Sequence, residues 1–252
     1  MEELKRKVFQ FRTAKGDPIM NVALVGGVGA GKSSLISTVA SAECGYISRC
    51  APHGAGTKSL TSKFKKYVFG KRGAEAPFHL YDTMGWSSDD WKPEDLSLMS
   101  MGYVPNGTDM SRGIRGVERM RKLRSDPTVD DRMHCIVFVV PCECVGNEAY
   151  MEHLNTLKDE VFCSDMQPMV VLTKIDEINA DMNILEIMAS SDLKRLKKEL
   201  FVLSGVPMNC ILPVKNFESE MSVEPEVAVF ALKAMYEILN TAATNYRMMS
   251  EQ

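Results

Sequence analysis

A glycine-rich phosphate-binding motif constrains this chain more than any other feature of its sequence. The segment Gly26-Gly27-Val28-Gly29-Ala30-Gly31-Lys32-Ser33 matches the pattern G-x-x-x-x-G-K-[ST]. It lies between a β-rich run, residues 19–25, and a helical stretch, residues 32–42, which is the order that phosphate binding requires. Glycines let backbone N–H groups turn inward around phosphate oxygens, and the helix N-terminus adds a favourable dipole. The motif predicts a P-loop; a glycine-rich turn with a solvated lysine is the alternative.

The positions of this motif have separate expected roles. We expect Lys32 to neutralise the β- and γ-phosphates, which makes it a catalytic candidate, and Ser33 to bind Mg²⁺ through its hydroxyl. Ser34 is expected to reach the α-phosphate. The predicted nucleotide-binding residues of this segment are Gly27, Val28, Gly29, Ala30, Gly31, Lys32, Ser33 and Ser34.

Apolar runs and amphipathic helices alternate along the rest of the chain. Residues 134–140 (HCIVFVV) and 169–173 (MVVLT) are typical of parallel strands buried on both faces, and residues 62–69 of an edge strand with Phe64 and Val68 inward. The alternation predicts an α/β fold: a P-loop NTPase G domain with a mostly parallel six-stranded sheet and helices on both faces. All 252 residues are expected to form this one domain, with residues 1–17 as an N-terminal extension and residues 86–131 as an insertion.

A second motif follows the strand at residues 78–81. Asp82 is placed to hold Mg²⁺ through water, and the N–H group of Gly85 to approach the γ-phosphate. A plain turn is the alternative for this short pattern. Trp86 comes next, where many GTPases have a catalytic glutamine. We interpret Trp86 as a substitution at a nucleotide switch.

A third motif, Thr173-Lys174-Ile175-Asp176, ends another predicted central strand. The Asp176 carboxylate is able to accept two hydrogen bonds from guanine, and adenine offers neither donor. Lys174 is expected to lie along the purine face. Thr173 stands where asparagine is more usual. Its hydroxyl must therefore provide the bracing hydrogen bonds of an asparagine side chain, and it can make fewer of them. After the last strand, Lys215 and Asn216 are assigned to the guanine site by position alone.

The polar stretch between the P-loop and Lys63 is suited to a first switch. Its best candidate for a Mg²⁺ ligand and catalytic residue is Thr57, with Ser59 and Thr61 as rivals. A plain surface loop is the alternative. The predicted metal ligands are therefore Ser33, Thr57 and Asp82.

Charge and hydropathy restrict the expected partners and location. The net charge of −3 predicts no nucleic-acid partner, and no apolar run approaches the ~20 residues of a membrane span. The charged N-terminus lacks the apolar core of a signal peptide, which favours the cytoplasm. A homodimer or protein effector is expected to use the switches and the insertion.

The sequence resembles the interferon-induced protein 44 family of GTP-binding proteins. The resemblance runs from NVALVGGVGAGKSSL, through GTKSLTSKFKKY, FHLYDTMGW and DDRMHCIVFVV, to ALKAMYEIL near the end of the chain. It implies a cytoplasmic G domain that is linked to innate immune responses. A hydrophobic residue after the DxxG glycine is usual in this family, in agreement with Trp86.

Three functional hypotheses stay open on the sequence. The first is a GTPase switch with slow hydrolysis, in which Trp86 packs away from the γ-phosphate. The second is a nucleotide-binding scaffold without significant hydrolysis, in which Trp86, Trp91 and Tyr103 are exposed as a partner surface. The third is a nucleotide kinase, with a phosphate lid formed by arginines of the 112–124 stretch, namely Arg112, Arg115 and Arg119. Asp176 argues against a kinase, and a solvated helix face is the simpler interpretation of the arginines.

Overall fold

A six-stranded sheet organises the protein. The computed structural model describes residues 1–12, 19–51, 61–86, 92–111, 113–114, 122–163 and 166–251. The strand order is β2-β3-β1-β4-β5-β6. All neighbours run parallel except β2, which pairs antiparallel with β3 at one edge. The predicted α/β class with a mostly parallel six-stranded sheet is confirmed. The strands are β1 (Met20–Val25), β2 (Lys65–Lys71), β3 (Ala74–Asp82), β4 (Cys135–Pro141), β5 (Met169–Thr173) and β6 (Ile211–Pro213).

Helices cover the central strands. Every residue of β1, β4 and β5 is buried, as expected for parallel strands that are covered on both faces. Among the described residues the first and last helices pack together, and both contact α2. The fourth helix contacts α3 and α6. The helices are α1 (Glu2–Phe9), α2 (Lys32–Cys44), α3 (Pro93–Ser100), α4 (Glu148–Cys163), α5 (Ile184–Ala189), α6 (Ser191–Ser204) and α7 (Pro225–Ser250).

Local signals in the sequence account for several helix ends. The side chain of Asn183 caps α5 by accepting hydrogen bonds from two backbone N–H groups, and Ser190 caps α6 in the same way through one. α2 ends at Cys44 and is capped by Gly45, whose φ of 80° is easily reached only by glycine. Pro225 lies in the first turn of α7, where its missing N–H group costs nothing.

The edge strand differs from its predicted pattern. Phe64 is inward, as predicted, and its ring stacks on Tyr81 at 4.9 Å between centroids. Val68 is 49% exposed, so its predicted inward orientation is wrong, and Tyr67 and Phe69 are buried instead. Phe64 precedes the regular strand, which begins at Lys65, so its side chain does not set the alternation of β2. Which side chains of β2 face inward is set by its pairing with β3, and it cannot be found by alternating residues along the chain from Phe64.

The carboxyl ends of the parallel strands bring the predicted motifs to one edge of the sheet. The P-loop follows β1, the DxxG motif ends β3, and the guanine motif ends β5. This edge is where open α/β sheets bind ligands. Within the described part of the chain, no helix has the length and apolar character needed to cross a membrane.

Candidate nucleotide-binding site

The P-loop wraps around the ammonium group of Lys32. Lys32 is buried, and its Nζ donates hydrogen bonds to the carbonyl oxygens of Gly26 at 2.8 Å and Gly27 at 3.0 Å. Burial lowers the pKa of Lys32 to about 8, and the charge of Asp82 offsets part of this effect. Gly31, with φ of 92°, has the left-handed conformation that lets the loop turn into α2. An anionic phosphate would replace two neutral carbonyls as the partner of Lys32.

Three oxygen-bearing side chains converge beside the P-loop. Ser33 Oγ donates a hydrogen bond to Asp82 Oδ2 at 2.6 Å, and Thr61 Oγ1 donates to the same oxygen at 3.2 Å. The two hydroxyl oxygens lie 3.4 Å apart. Asp82 is fully buried, and its Oδ1 has no hydrogen-bond partner within the described chain. Burial raises the pKa of Asp82, against the hydrogen bond from Ser33 and the charge of Lys32. Hydroxyl and carboxylate oxygens are ligands that Mg²⁺ prefers, so this set fits Mg²⁺.

The DxxG segment lies directly against the P-loop backbone. The Trp86 N–H donates to Gly26 O at 3.2 Å, and the Val28 N–H donates to Trp86 O at 3.1 Å. A Cβ on Gly85 would lie 2.7 Å from Val28 Cα, so only glycine fits at this approach. The segment therefore uses a backbone donor of the P-loop that would otherwise be free for a phosphate.

The Trp86 side chain packs on α4 beside the P-loop, where its indole Nε1 would lie 3.5 Å from a Cβ on Gly27. Its ring centroid lies 5.5 Å from that of Tyr150 and 5.3 Å from that of His153, and Trp86 is 5% exposed. The Tyr150 hydroxyl donates to Val139 O at 3.3 Å and accepts from the Gly27 N–H at 3.4 Å. An exposed Trp86 in a partner surface, one of the two sequence alternatives, is wrong. Tyr103 is half-buried.

Two side chains, one at the end of β5 and one in the segment after β6, brace the carbonyls of the P-loop. Thr173 Oγ1 donates to Ala30 O at 2.7 Å, which is the bracing role predicted for this hydroxyl. Asn216 Nδ2 donates to Gly31 O at 3.2 Å. Both side chains are buried. The guanine motif and the segment after β6 are thereby tied to the phosphate-binding loop.

Two of the predicted base-recognition residues border a cavity. Asp176 and Lys215 line a space of about 360 Å³ together with Ile184 and Leu185. This volume lies in the range of small-molecule pockets. The Lys215 ammonium contacts Glu220 at 2.9 Å. Burial lowers the pKa of Lys215, but the hydrogen bond to Glu220 and the nearby carboxylates outweigh it and raise the pKa.

The carboxylate of Glu143, which no sequence motif marks, orients the side chain of Lys174. Lys174 has a φ of 56°, the one positive value among the described non-glycine residues. Its Nζ pairs with Glu143 Oε1 at 2.8 Å, and this hydrogen bond raises the pKa of Lys174. Strained conformations of this kind cluster at functional sites. Glu143 lies two residues after the end of β4, at the same edge of the sheet. This position after a central strand is the feature of the sequence from which a role at the site could have been predicted.

Tyr150 and the amide contact of Asn216 were also missed by sequence reasoning. No motif marks Tyr150, because its contact with Gly27 spans 123 positions along the chain. Of the remaining predicted residues, Gly29 is exposed on the P-loop and Ser34 is half-buried in the first turn of α2. Several predicted residues lie outside the described part of the structure: Thr57, Ser59, Trp91, Arg112, Arg115 and Arg119.

Comparison with solved structures defines the class of the fold. Toc33 from Arabidopsis thaliana in complex with Mg²⁺ and GMPPNP aligns with a TM-score of 0.56 at 13% identity, over 96% of this chain and 92% of that one. A structure of chloroplast translocon components, atToc33 and psToc159, for whose GTPase activity dimerization is important, aligns with a TM-score of 0.57 at 14% identity, over 96% and 90%. The fold is that of a P-loop GTPase G domain.

Comparison with curated proteins shows which proteins of this fold class resemble the chain in sequence. Interferon-induced protein 44-like from Homo sapiens is 26% identical over 233 residues, which cover 88% of this chain and 51% of that protein. Interferon-induced protein 44 from Mus musculus is 24% identical over 228 residues, 88% and 54% respectively. These relatives confirm the resemblance to the interferon-induced protein 44 family. The chain spans about half the length of the curated relatives it matches, and no protein-family model matches it.

Proposed function

We propose that this chain is a Mg²⁺-dependent guanine-nucleotide-binding protein that hydrolyses GTP slowly and acts as a nucleotide-controlled switch. The convergence of Ser33, Thr61 and Asp82 beside the P-loop lysine carries the proposal. A buried carboxylate with a free oxygen, next to two hydroxyls and a buried ammonium, is the arrangement that a metal–phosphate pair requires.

In this proposal the metal is held by Ser33 and Asp82, with Thr61 as the ligand from the first switch. Bound Mg²⁺ would neutralise charge that develops on the phosphate oxygens. Thr61 is favoured by its contact with Asp82 at 3.2 Å. Thr57, the ligand and catalytic residue predicted from the sequence, stays a prediction.

Guanine selectivity is assigned to Asp176, within the cavity that it shares with Lys215. A carboxylate accepting from the guanine N1–H and 2-amino groups would be left unpaired by adenine, and unpaired buried acceptors cost more than ordinary hydrogen bonds gain. Lys174, held by Glu143, would cover the base with its alkyl stem. The phosphates would bind to the backbone of residues 27–34 and to the Gly85 N–H group.

Slow hydrolysis is proposed from the chemistry of Trp86. Its indole packs against Tyr150 and His153, and its one polar group is an N–H donor, which cannot accept a hydrogen bond from an attacking water. Lys32 and the P-loop N–H groups still stabilise transition-state charge. The same observation favours a second candidate function, a GTP- or GDP-binding scaffold without significant hydrolysis.

The wider role is inferred from the relatives. Interferon-induced names among the curated relatives support a role in the innate immune response, and the resemblance implies a cytoplasmic location. The importance of dimerization in the similar chloroplast GTPases supports a homodimer or an effector contact through the switch segments.

Isothermal titration of the purified chain with GDP, a non-hydrolysable GTP analogue and ADP, each with Mg²⁺, tests the proposal. We expect both guanine nucleotides to bind and ADP to bind at least about a hundredfold more weakly, because the half-buried Asp176 carboxylate would be covered by a base that offers it no donor. Asp176→Ala should lose this selectivity, and Lys32→Ala should lose binding. Asp181→Ala, which removes an exposed carboxylate nearby, is the matched control.

Each outcome has a separate meaning. Equal affinity for ADP would contradict the guanine assignment, and an absence of binding would contradict nucleotide control altogether. Phosphate release from GTP above the rate of the Lys32→Ala variant would support the switch, whereas no release by a chain that binds GTP would leave the scaffold.

A further inference from the structure

Asn216 is a buried amide whose hydrogen bonds are only partly made. It is 7% exposed, its Nδ2 donates to Gly31 O at 3.2 Å, and its Oδ1 has no hydrogen-bond partner in the described chain. Buried polar atoms are nearly always paired, so a lone one in a site calls for an explanation. A missing ligand at the nucleotide edge of the sheet is the explanation that the surroundings favour.

The contact with Gly31 is not needed to satisfy the P-loop carbonyl. Gly31 O already accepts the helical N–H of Leu35 at 2.8 Å. Yet the approach is close, since a Cβ on Gly31 would lie 2.8 Å from Asn216 Nδ2 and 3.6 Å from the Thr173 side chain. Thr173, at the end of β5, and Asn216, in the segment after β6, therefore flank the same glycine.

The segment that carries Asn216 connects the base cavity to the phosphate-binding element. Its neighbour Lys215 lines the cavity with Asp176. On the other side, the Phe217 N–H donates to the buried Thr38 hydroxyl in α2 at 2.9 Å. A shift of this segment would move the walls of the base cavity relative to the P-loop.

We propose that Asn216 is a positioning residue for the guanine nucleotide, whose amide shares with Thr173 the bracing that asparagine usually provides alone in the guanine motif. The inference rests on the proposed function and names a residue of the same site. The Thr173 hydroxyl holds Ala30 O, and the Asn216 amide holds the next carbonyl along the loop. The free Oδ1 accepts a hydrogen bond from the bound nucleotide or from water that it orders.

Asn216→Asp is the first test, because it keeps the shape of the side chain and removes its donor; it also adds a negative charge near the P-loop, which the Asn216→Ala variant described next does not. We expect this variant to bind GDP about tenfold more weakly by titration calorimetry, as lost hydrogen-bond energies imply. The matched control is Asn245→Asp, at another buried asparagine that holds His134 O at 2.9 Å far from the P-loop. The control should lower the thermal unfolding temperature and leave GDP affinity unchanged.

Transfer of the amide gives a second, independent test. Asn216→Ala should also weaken GDP binding about tenfold, and addition of Thr173→Asn should restore affinity to within about threefold of the wild type. A purely structural asparagine would not be rescued from a different strand. Thermal unfolding of each nucleotide-free variant verifies that it folds.

The outcomes separate this inference from the proposed function. Wild-type GDP affinity in Asn216→Asp overturns the inference and leaves the proposed function standing. A folded Thr173→Asn variant that binds GDP but gives no rescue overturns the shared bracing. A wild-type chain that does not bind GDP overturns the proposed function, and the inference with it.

Discussion

A half-buried histidine on the third strand, His79, is one of the residues that couple the stability of this protein to pH. His79 is partly buried, and its Nδ1 lies 3.3 Å from Asn21 Oδ1. Burial, followed by the charge of Lys66, lowers the pKa of His79 to about 4. Between about pH 6.5 and this value the unfolded chain binds a proton that the folded chain does not. The free energy of unfolding therefore falls as the pH falls through this window.

Substitution of His79 should make the protein less sensitive to acid. We expect His79→Gln to lose less thermal stability between pH 7 and pH 5 than the wild type, measured as the change in unfolding temperature by circular dichroism. Lys66→Gln should act in the same direction, because it removes a cation that opposes protonation of His79. His134, whose pKa is also lowered by burial, will keep some pH dependence in both variants. Identical losses in the wild type and His79→Gln would contradict this assignment.

At the scale of elements, the DxxG segment and the P-loop form a contact with which a bound γ-phosphate would compete. Gly27 and Trp86 pair as an isolated parallel bridge, and the Val28 N–H is used by Trp86 O. A γ-phosphate that binds between these segments needs such N–H groups, and ordering of switch segments around it is a common transition in GTPases. The bridge should therefore open when a triphosphate binds and stay closed with a diphosphate.

The fluorescence of Trp86 should report this opening. The chain has two tryptophans, so Trp91→Phe leaves Trp86 as the one indole. Trp86 is buried beside Tyr150, and we expect its emission to shift to longer wavelength with a non-hydrolysable GTP analogue and not with GDP. Asp82→Ala, which removes the predicted metal ligand, is the control that should abolish the shift. A shift of equal size with both nucleotides would contradict a γ-phosphate-dependent bridge.

The sequence predicts the order of the strands and helices better than it predicts the contacts between them. The strand and helix order and the P-loop follow from local patterns, because each depends on residues close together in the chain. The contacts of Tyr150 with Gly27 and of Asn216 with Gly31 span 123 and 185 positions, and no local pattern encodes them. Val68 shows another limit of prediction from the sequence. Its exposure depends on the register with β3 rather than on its own hydrophobicity.

At the scale of the whole molecule, the amino-terminal segment is built into the folded body. Within the predicted extension of residues 1–17, residues 2–9 form α1, which packs on α7. The Phe9 ring lies 5.9 Å from that of Phe78 and 6.3 Å from that of Phe69, and Val8 is fully buried. This segment therefore covers the β2–β3 edge of the sheet on the side of the last helix.

Val8→Ala tests whether α1 contributes to global stability. Loss of two buried methyl groups, at about 0.8 kcal/mol each, should lower the free energy of unfolding by about 1.5 kcal/mol. The measurement is equilibrium unfolding in urea, and Arg6→Ala on the exposed side of the same helix should change it by less than about 0.5 kcal/mol. An unchanged midpoint in Val8→Ala would mean that α1 detaches before the rest unfolds. A single shifted transition would mean that α1 and the nucleotide-binding edge of the sheet unfold as one unit, because the core that joins them runs through β3, which carries Phe78 in its middle and Asp82 at its end.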